Sequence, residues 1–466
     1  MSTAAVVLAA GQGTRFKSER AKVLHRLAGR TMLRWVLEAI RPLGLDRVVV
    51  VCGHQREEVA AEAQTAAVPG LVTVEQSPQN GTGHAVRQAL DAGALDQVDT
   101  VLVVPGDAPL LLPEVLADLL GAHDGRAATL VTAEPDDPTG YGRVIRDRDG
   151  AVVRIVEHRD ASDDERRVRE VATSIYAFSR EPLAVQLRQL SSDNVQGEEY
   201  LTDVVAPLAA AGVGAVTAPA QLVGGVNDRA ELAAAAAVVR RRILRRLMLD
   251  GVGVVDPAAT YVDADAAVDA DATLLPGTHL EGATRVGRHA VIGPNSRLVE
   301  AVVEDGATVA YSVVERATVG VGATVGPFSY LRPGTRLEGR AKAGAFVEMK
   351  NTTVGTGSKV PHLSYIGDAT IGRDANVGAG TITCNYDGRA KHPTVIGDGA
   401  FVGSDTMLVA PVEVGADAYT GAGSVITKDV PPGALAVERG EQRIVAGYAD
   451  RRAARHEERT RDERRS

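Results

Sequence analysis

From about Asp250 onward, a small aliphatic residue followed by glycine recurs on a period of about six: Val286-Gly287, Ile292-Gly293, Val319-Gly320, Val325-Gly326, Val354-Gly355, Ile366-Gly367, Ile371-Gly372, Val377-Gly378, Ile396-Gly397, Val402-Gly403 and Val414-Gly415. A small Ala, Ser, Thr or Val tends to follow three positions later. This period matches neither a helix, which repeats at about 3.6 residues, nor a simple hairpin array. It predicts short parallel strands stacked in coils, three hexads per turn, with the aliphatic side chains filling the axis. The pattern skips at Cys384–Pro393. An insertion in a solenoid must bulge outward as a loop, and such loops often carry binding groups.

The chain before about Asp228 is patterned differently. Apolar runs at Ala5–Ala10, Arg47–Val51 and Thr100–Val104 predict buried strands, and Arg30–Ile40 and Gly83–Leu90 predict helices between them. Strands alternating with helices imply a mostly parallel sheet covered on both faces. Glu231–Asp250 lacks Gly and Pro, is rich in strong helix formers, and ends at Gly251, so one long helix is expected. The expected organisation is an α/β Rossmann-like domain over 1–228, a linker helix over 229–250, a coiled β domain over 251–450, and a charged, disordered tail over 451–466.

Candidate chemistry sits where strands end. The strand at Val6–Ala10 runs into Gly11-Gln12-Gly13-Thr14-Arg15. In an open α/β sheet, ligands bind beyond the carboxyl ends of the strands. Glycines let backbone N–H groups approach phosphate, and Arg15 and Lys22 add cations. No Gly-Lys-Ser/Thr follows, so this is not a Walker loop. A second strand ends in Pro105-Gly106-Asp107, a position suited to a Mg²⁺ ligand. Gln76 and the loop Asn80–Gly83 could read a base edge, because an amide offers paired donor and acceptor groups. In the repeat region, Arg332, Lys350, His362, Tyr365, Asn376 and then Asn385-Tyr386 break the aliphatic pattern. Stacked coils are expected to bring them side by side.

The motifs Leu8-Ala9-Ala10-Gly11-Gln12-Gly13-Thr14-Arg15, Lys22, Gly81-Thr82-Gly83-His84-Ala85, Gly106-Asp107 and Gly140-Tyr141-Gly142-Arg143 resemble the sugar-nucleotide pyrophosphorylase family. Joined to a hexapeptide solenoid, the chain from residue 4 to about 445 resembles the bifunctional N-acetylglucosamine-1-phosphate uridylyltransferases/glucosamine-1-phosphate acetyltransferases. The resemblance implies a left-handed parallel β-helix, the substrates UTP, acetyl-CoA, glucosamine-1-phosphate and N-acetylglucosamine-1-phosphate, a homotrimer and a cytoplasmic location. It places Leu8, Ala9, Ala10, Gly11, Gln76, Gly81 and Thr82 on the uridine nucleotide, and Arg15 and Lys22 on phosphates. Gly142, Glu157 and Asn227 would line the sugar, and Asp107 and Asn227 would hold Mg²⁺.

An amine must lose a proton before it attacks a thioester, and histidine is the natural base near neutral pH. The resemblance gives that role to His362 and puts Arg332, Lys350, Tyr365 and Asn376 on the sugar phosphate. Ala379, Asn385, Tyr386, Ser404, Ala422 and Arg439 would contact acetyl-CoA. Two positions depart from the family: Ala172 stands where an Asn is usual, and Ala21 where a Pro is usual.

Composition narrows the alternatives. A net charge of −9 with no broad basic patch argues against non-specific nucleic-acid binding. No apolar run reaches membrane-spanning length. Two cysteines, Cys52 and Cys384, form no disulfide framework and suit a reducing cytoplasm. Two other readings stay open: a single-activity nucleotidyltransferase with a structural or regulatory solenoid, and a non-catalytic assembly scaffold. The polar set around His362 argues against the first, and Arg15, Lys22, Asp107 and Asn227 argue against the second.

Overall fold

The computed structural model describes residues 2–463. The chain forms two compact units: one runs to Leu249 and includes Tyr261–Ala266, and the other takes Asp250–Thr260 and the chain from Ala267 onward.

The main sheet of the first unit is built of β1 (Thr3–Ala9), β2 (Arg47–Cys52), β3 (Leu71–Glu75), β4 (Thr100–Pro105), β5 (Ala128–Ala133), β6 (Arg143–Arg146), β7 (Val152–Val156), β8 (Val171–Ser179) and β9 (Val213–Thr217). The sheet order is β9-β5-β8-β4-β1-β2-β3, with the β6–β7 hairpin attached to β8. The apolar runs are near-continuous because both faces are covered. Ala5 and Val7 pack with Leu33, Val36 and Leu37 of helix α1 (Met32–Ile40) on one side. Ala4 and Val6 pack with Val86 and Ala89 of helix α2 (Thr82–Asp91) on the other.

The sheet is less uniformly parallel than the alternation implied. Strand β8 enters antiparallel between β4 and β5. A parallel return needs a crossover of a dozen or more residues, usually a helix. Between Val156 and Val171 the only helix among the described residues is the four-residue turn Asp163–Arg166. Strands β2 and β4 flank β1 on opposite sides, both parallel to it. The chain therefore leaves β1 and β4 at the point where strand order reverses, which opens a crevice at their carboxyl ends.

The second unit is a left-handed parallel β-helix. Among the described residues, its short strands align as three parallel sheets. One inward row runs Leu280, Leu298, Val314, Leu331, Met349, Ile366 in register, each at most 1% exposed. Small residues close the corners, and their buried hydroxyls bond to backbone carbonyls, as Ser358 Oγ does to Gly372 O at 2.6 Å and Thr406 Oγ1 to Gly403 O at 2.7 Å. The skip at Cys384–Pro393 is a loop: rungs 16 residues apart at Thr308↔Thr324 and 17 apart at Val313↔Tyr330 become 25 apart at Asn376↔Phe401. The charged tail, expected to be disordered, is a largely exposed helix over Tyr448–Glu463, and residues 464–466 lie outside the described residues. Exposure agrees with its composition, and pairs such as Arg459–Glu463 at 3.5 Å favour the helix.

Candidate active sites

After β1, Gly13 takes φ +62°, and a Cβ there would lie 2.6 Å from Lys22 Cβ. Glycine thus lets the loop fold back against Lys22 before the turn at Thr14–Phe16. Arg15 Nη2 donates to Asn227 Oδ1 at 2.9 Å, and Lys22 Nζ donates to the same oxygen at 3.0 Å. Lys22 also forms an ion pair with Asp107. Four residues spread over more than two hundred positions therefore meet at the crevice. Ala21, where the family usually has Pro, donates its N–H to Gln55 Oε1. A proline could not make that bond, so this chain ties its loop down by a hydrogen bond instead.

Asp107 and Asn227 present oxygens that converge on the Lys22 ammonium. Among the described residues no group of three or more His, Cys, Asp or Glu gathers for a metal. This donor set fits Mg²⁺, which takes one or two protein oxygens and completes its shell with phosphates and water.

Gln76 is buried, and its Nε2 donates to Gly81 O at 2.8 Å and to His84 Nδ1 at 3.2 Å. Burial holds His84 below its ordinary pKa, which favours the neutral ring. Thr82 Oγ1 accepts from Leu201 N at 3.0 Å. Leu8, Ala9 and Ala10 lie at the end of β1, and open space faces Gly11. Glu157 is half-buried beside Gly142 and accepts from Thr202 Oγ1 at 2.9 Å. Burial pushes its carboxyl up, and Asp203, Asp160 and Glu198 push it the same way. Ala172 packs at this side too, donating its N–H to Gly142 O at 2.9 Å.

In the β-helix, the expected polar set divides into two arrays and one outlier. Arg332, Lys350 and Tyr365 share one sheet, with Lys350 opposite Gly367 and Tyr365 opposite Glu348. Arg332 pairs with Glu348 at 2.8 Å. A side chain at Gly367 would meet Tyr365 Oη at 2.5 Å and Asn385 Nδ2 at 2.6 Å. His362 instead ends a strand of the neighbouring sheet, and its O accepts from Gly380 N at 3.4 Å. Ala379 O accepts from Asp405 N, Ser404 O accepts from Gly423 N at 2.9 Å, and Ala422 O accepts from Arg439 Nη1 at 3.1 Å. Ala379, Ser404, Ala422 and Arg439 thus climb one corner from His362, whereas Asn385 sits with Tyr365 and Gly367 on the other face. Asn376 lies apart, opposite Lys359. Tyr386 is exposed in the loop. Among the described residues of one chain, the exposed ring of His362 makes no hydrogen bond or ion pair. The side-by-side placement with Arg332 and Lys350 that stacking suggested is therefore not made within a single chain, because the corner turns His362 onto a different face.

Residues 5–171 match the MobA-like NTP transferase domain, and residues 393–428 match six bacterial transferase hexapeptide repeats. The chain is 52% identical to the bifunctional protein GlmU of Streptomyces avermitilis over 457 residues, covering 96% of this chain and 94% of that protein. It is 51% identical to that of Thermobifida fusca with the same coverage, and 50% identical to that of Mycolicibacterium vanbaalenii over 96% of this chain and 93% of that one.

The chain belongs to the GlmU family.

Lys391 of this GlmU-family chain escaped the sequence reading. The inserted loop closes on Asp387, which accepts from Arg389 N at 2.8 Å, Ala390 N at 2.7 Å and His392 Nε2 at 2.8 Å. That turn swings Lys391 against Lys350, whose ammonium pushes the Lys391 amine below its ordinary value. The Asp368 carboxylate acts on both ammonium groups, so the two lysines gather beside one acid on this face. The skipped hexad was the signal, and Lys391 lies inside it. Cys52 is inert by contrast, since burial pushes its thiol up to about 11. Among the described residues no helix is long and apolar enough to cross a membrane.

Proposed function

We propose that this chain acetylates glucosamine-1-phosphate with acetyl-CoA and then transfers UMP from UTP to N-acetylglucosamine-1-phosphate, releasing pyrophosphate. What supports this reading is that each unit gathers two cations at one place. Arg15 and Lys22 meet Asp107 and Asn227 at the sheet crevice, and Lys350 meets Lys391 on the β-helix.

For uridylyl transfer, the Gly11–Gly13 loop brings backbone N–H groups to the UTP phosphates. Arg15 and Lys22 neutralise the charge that builds as the sugar phosphate oxygen attacks the α-phosphorus in line and pyrophosphate leaves. Asp107 and Asn227 would hold Mg²⁺, which shares that neutralisation when bound. Leu8, Ala9, Ala10, Gln76, Gly81 and Thr82 surround the nucleoside, while Gly142 and Glu157 meet the sugar. No covalent intermediate is needed.

For acetyl transfer, Arg332, Lys350, Tyr365 and Asn376 hold the sugar phosphate. His362 takes the proton from the 2-amino group as the amine attacks the thioester. Ala379, Asn385, Tyr386, Ser404, Ala422 and Arg439 hold acetyl-CoA. A second copy completes this site. Tyr311, Phe328, Phe346 and Leu363 form an exposed apolar stripe on the corner that carries His362, with ring centroids 5.7 and 5.2 Å apart from Tyr311 to Phe346. Covering that stripe in a homotrimer would set His362 against a neighbour's cations.

The test is to measure both half-reactions on the purified full chain. His362→Ala abolishes acetyl-CoA consumption and leaves UTP-dependent pyrophosphate release intact, and Asp107→Ala does the reverse. Loss of both activities in either variant contradicts separate sites.

A further inference from the structure

Arg143 is 2% exposed, and its guanidinium forms no ion pair among the described residues. Burial disfavours its charge, and the exposed Asp137 carboxylate acts on it without a direct ion pair, so hydrogen bonds must satisfy its donors. Nη1 donates to Tyr141 O, Nε to Arg166 O at 3.4 Å, and Nη2 to His158 Nδ1 at 3.4 Å. Arginine carries only donors, so His158 must accept there and be neutral. Arg166 Nε in turn donates to His158 O at 3.3 Å.

These bonds join two separate pieces of the sugar side. Tyr141 precedes Gly142, and His158 follows Glu157. Within strand pairing, β6 and β7 meet only by the backbone ladder Arg143↔Val156 to Arg146↔Val152. Arg143 adds a side-chain brace at the open end of that hairpin, where Gly142 and Glu157 lie. Ala172 packs against Gly142 and offers no polar side chain there. On the uridylyl-transfer reading, the sugar contacts at this hairpin therefore fall on the Gly142 backbone and the Glu157 carboxylate.

We propose that Arg143 is a positioning residue that sets sugar-phosphate recognition in uridylyl transfer by fixing Gly142 and Glu157 relative to each other. The inference rests on the uridylyl-transfer reading above. It touches no substrate and acts through its neighbours.

The experiment compares the full chain with Arg143→Met and Arg143→Lys. It follows pyrophosphate release while N-acetylglucosamine-1-phosphate and UTP are varied separately, with acetyl-CoA consumption measured alongside. Arg143→Met is expected to raise KM for the sugar phosphate at least tenfold, to leave KM for UTP within twofold, and to leave acetyl transfer unchanged. Arg143→Lys should fall between it and the parent. Equal rises in both KM values, or parent-like values for both, overturn the proposal. If Arg143→Met gives no measurable rate, Arg143→Lys decides: a raised sugar KM with an unchanged UTP KM supports it, and a parallel loss overturns it. A parent chain that releases no pyrophosphate would instead sink the underlying reading, and this one with it.

Discussion

Glu157 shows how a single carboxyl can serve a site at the fold's expense. Burial and three neighbouring acids hold its pKa above the ordinary value of 4.5. The folded state therefore keeps this proton more tightly than the unfolded chain does. Its ionised form costs stability above the folded pKa, and that cost vanishes once pH falls below the unfolded value. Glu157→Gln keeps an acceptor for Thr202 and removes the charge. Its unfolding midpoint should rise at pH 8 and change little at pH 4. Uridylyl transfer should drop by about ten- to a hundredfold, the range for losing a hydrogen bond to a charged group. Equal midpoint changes at the two pH values would contradict this account. Glu157 entered the reading by family resemblance, and its burial could not be seen in the sequence. Arg15, Lys22 and Asp107 were legible because they sit at strand ends, where ligand chemistry concentrates. The roles of Lys391 and Arg143 were not. One depends on the turn made by an inserted loop, and the other on a hairpin brace.

At the scale of elements, the hexad is legible because each rung is built alike. Leu331 is 0% exposed between Val314 and Met349 on adjacent rungs. Leu331→Ala should destabilise the β-helix by about 2–5 kcal/mol, since the axis cannot collapse around the missing atoms. Each rung rests on its neighbours, so denaturant melts of the variant should lower the midpoint of the second unit and spare the first. A midpoint shift in the first unit alone would refute this. The first unit's helices and strands were also largely legible: α1 begins at Met32 and β2 runs Arg47–Cys52, close to the apolar runs. The direction of β8 was not, because an apolar run carries no sign of which way it pairs. The tail shows the converse limit: its charge predicted exposure but not the helix.

At the scale of the whole molecule, the stripe from Tyr311 to Leu363 decides whether one chain suffices. Phe328 and Phe346 are each 57% exposed and stacked at 5.2 Å. Apolar rings in such a row gain from being covered. In the proposed trimer, Phe328→Ser with Phe346→Ser should shift the full chain to a monomer by light scattering and abolish acetyl-CoA consumption, while pyrophosphate release persists. A parent chain that is monomeric and still transfers acetyl groups would rule out the shared site.

The sequence by itself determined two architectures, since a six-residue repeat admits one kind of stacking and alternating apolar runs demand a sheet covered on both faces. It also placed the phosphate loop, because glycines and cations at a strand's end have few other uses. Only the tertiary structure decided which distant groups meet: Arg15 and Lys22 with Asn227 across two hundred residues, Lys350 with Lys391 across a loop, and His362 on a different face from the cations. Periodicity reports which way a side chain points within its own element, whereas contact between elements depends on corners, insertions and strand direction that no local pattern encodes.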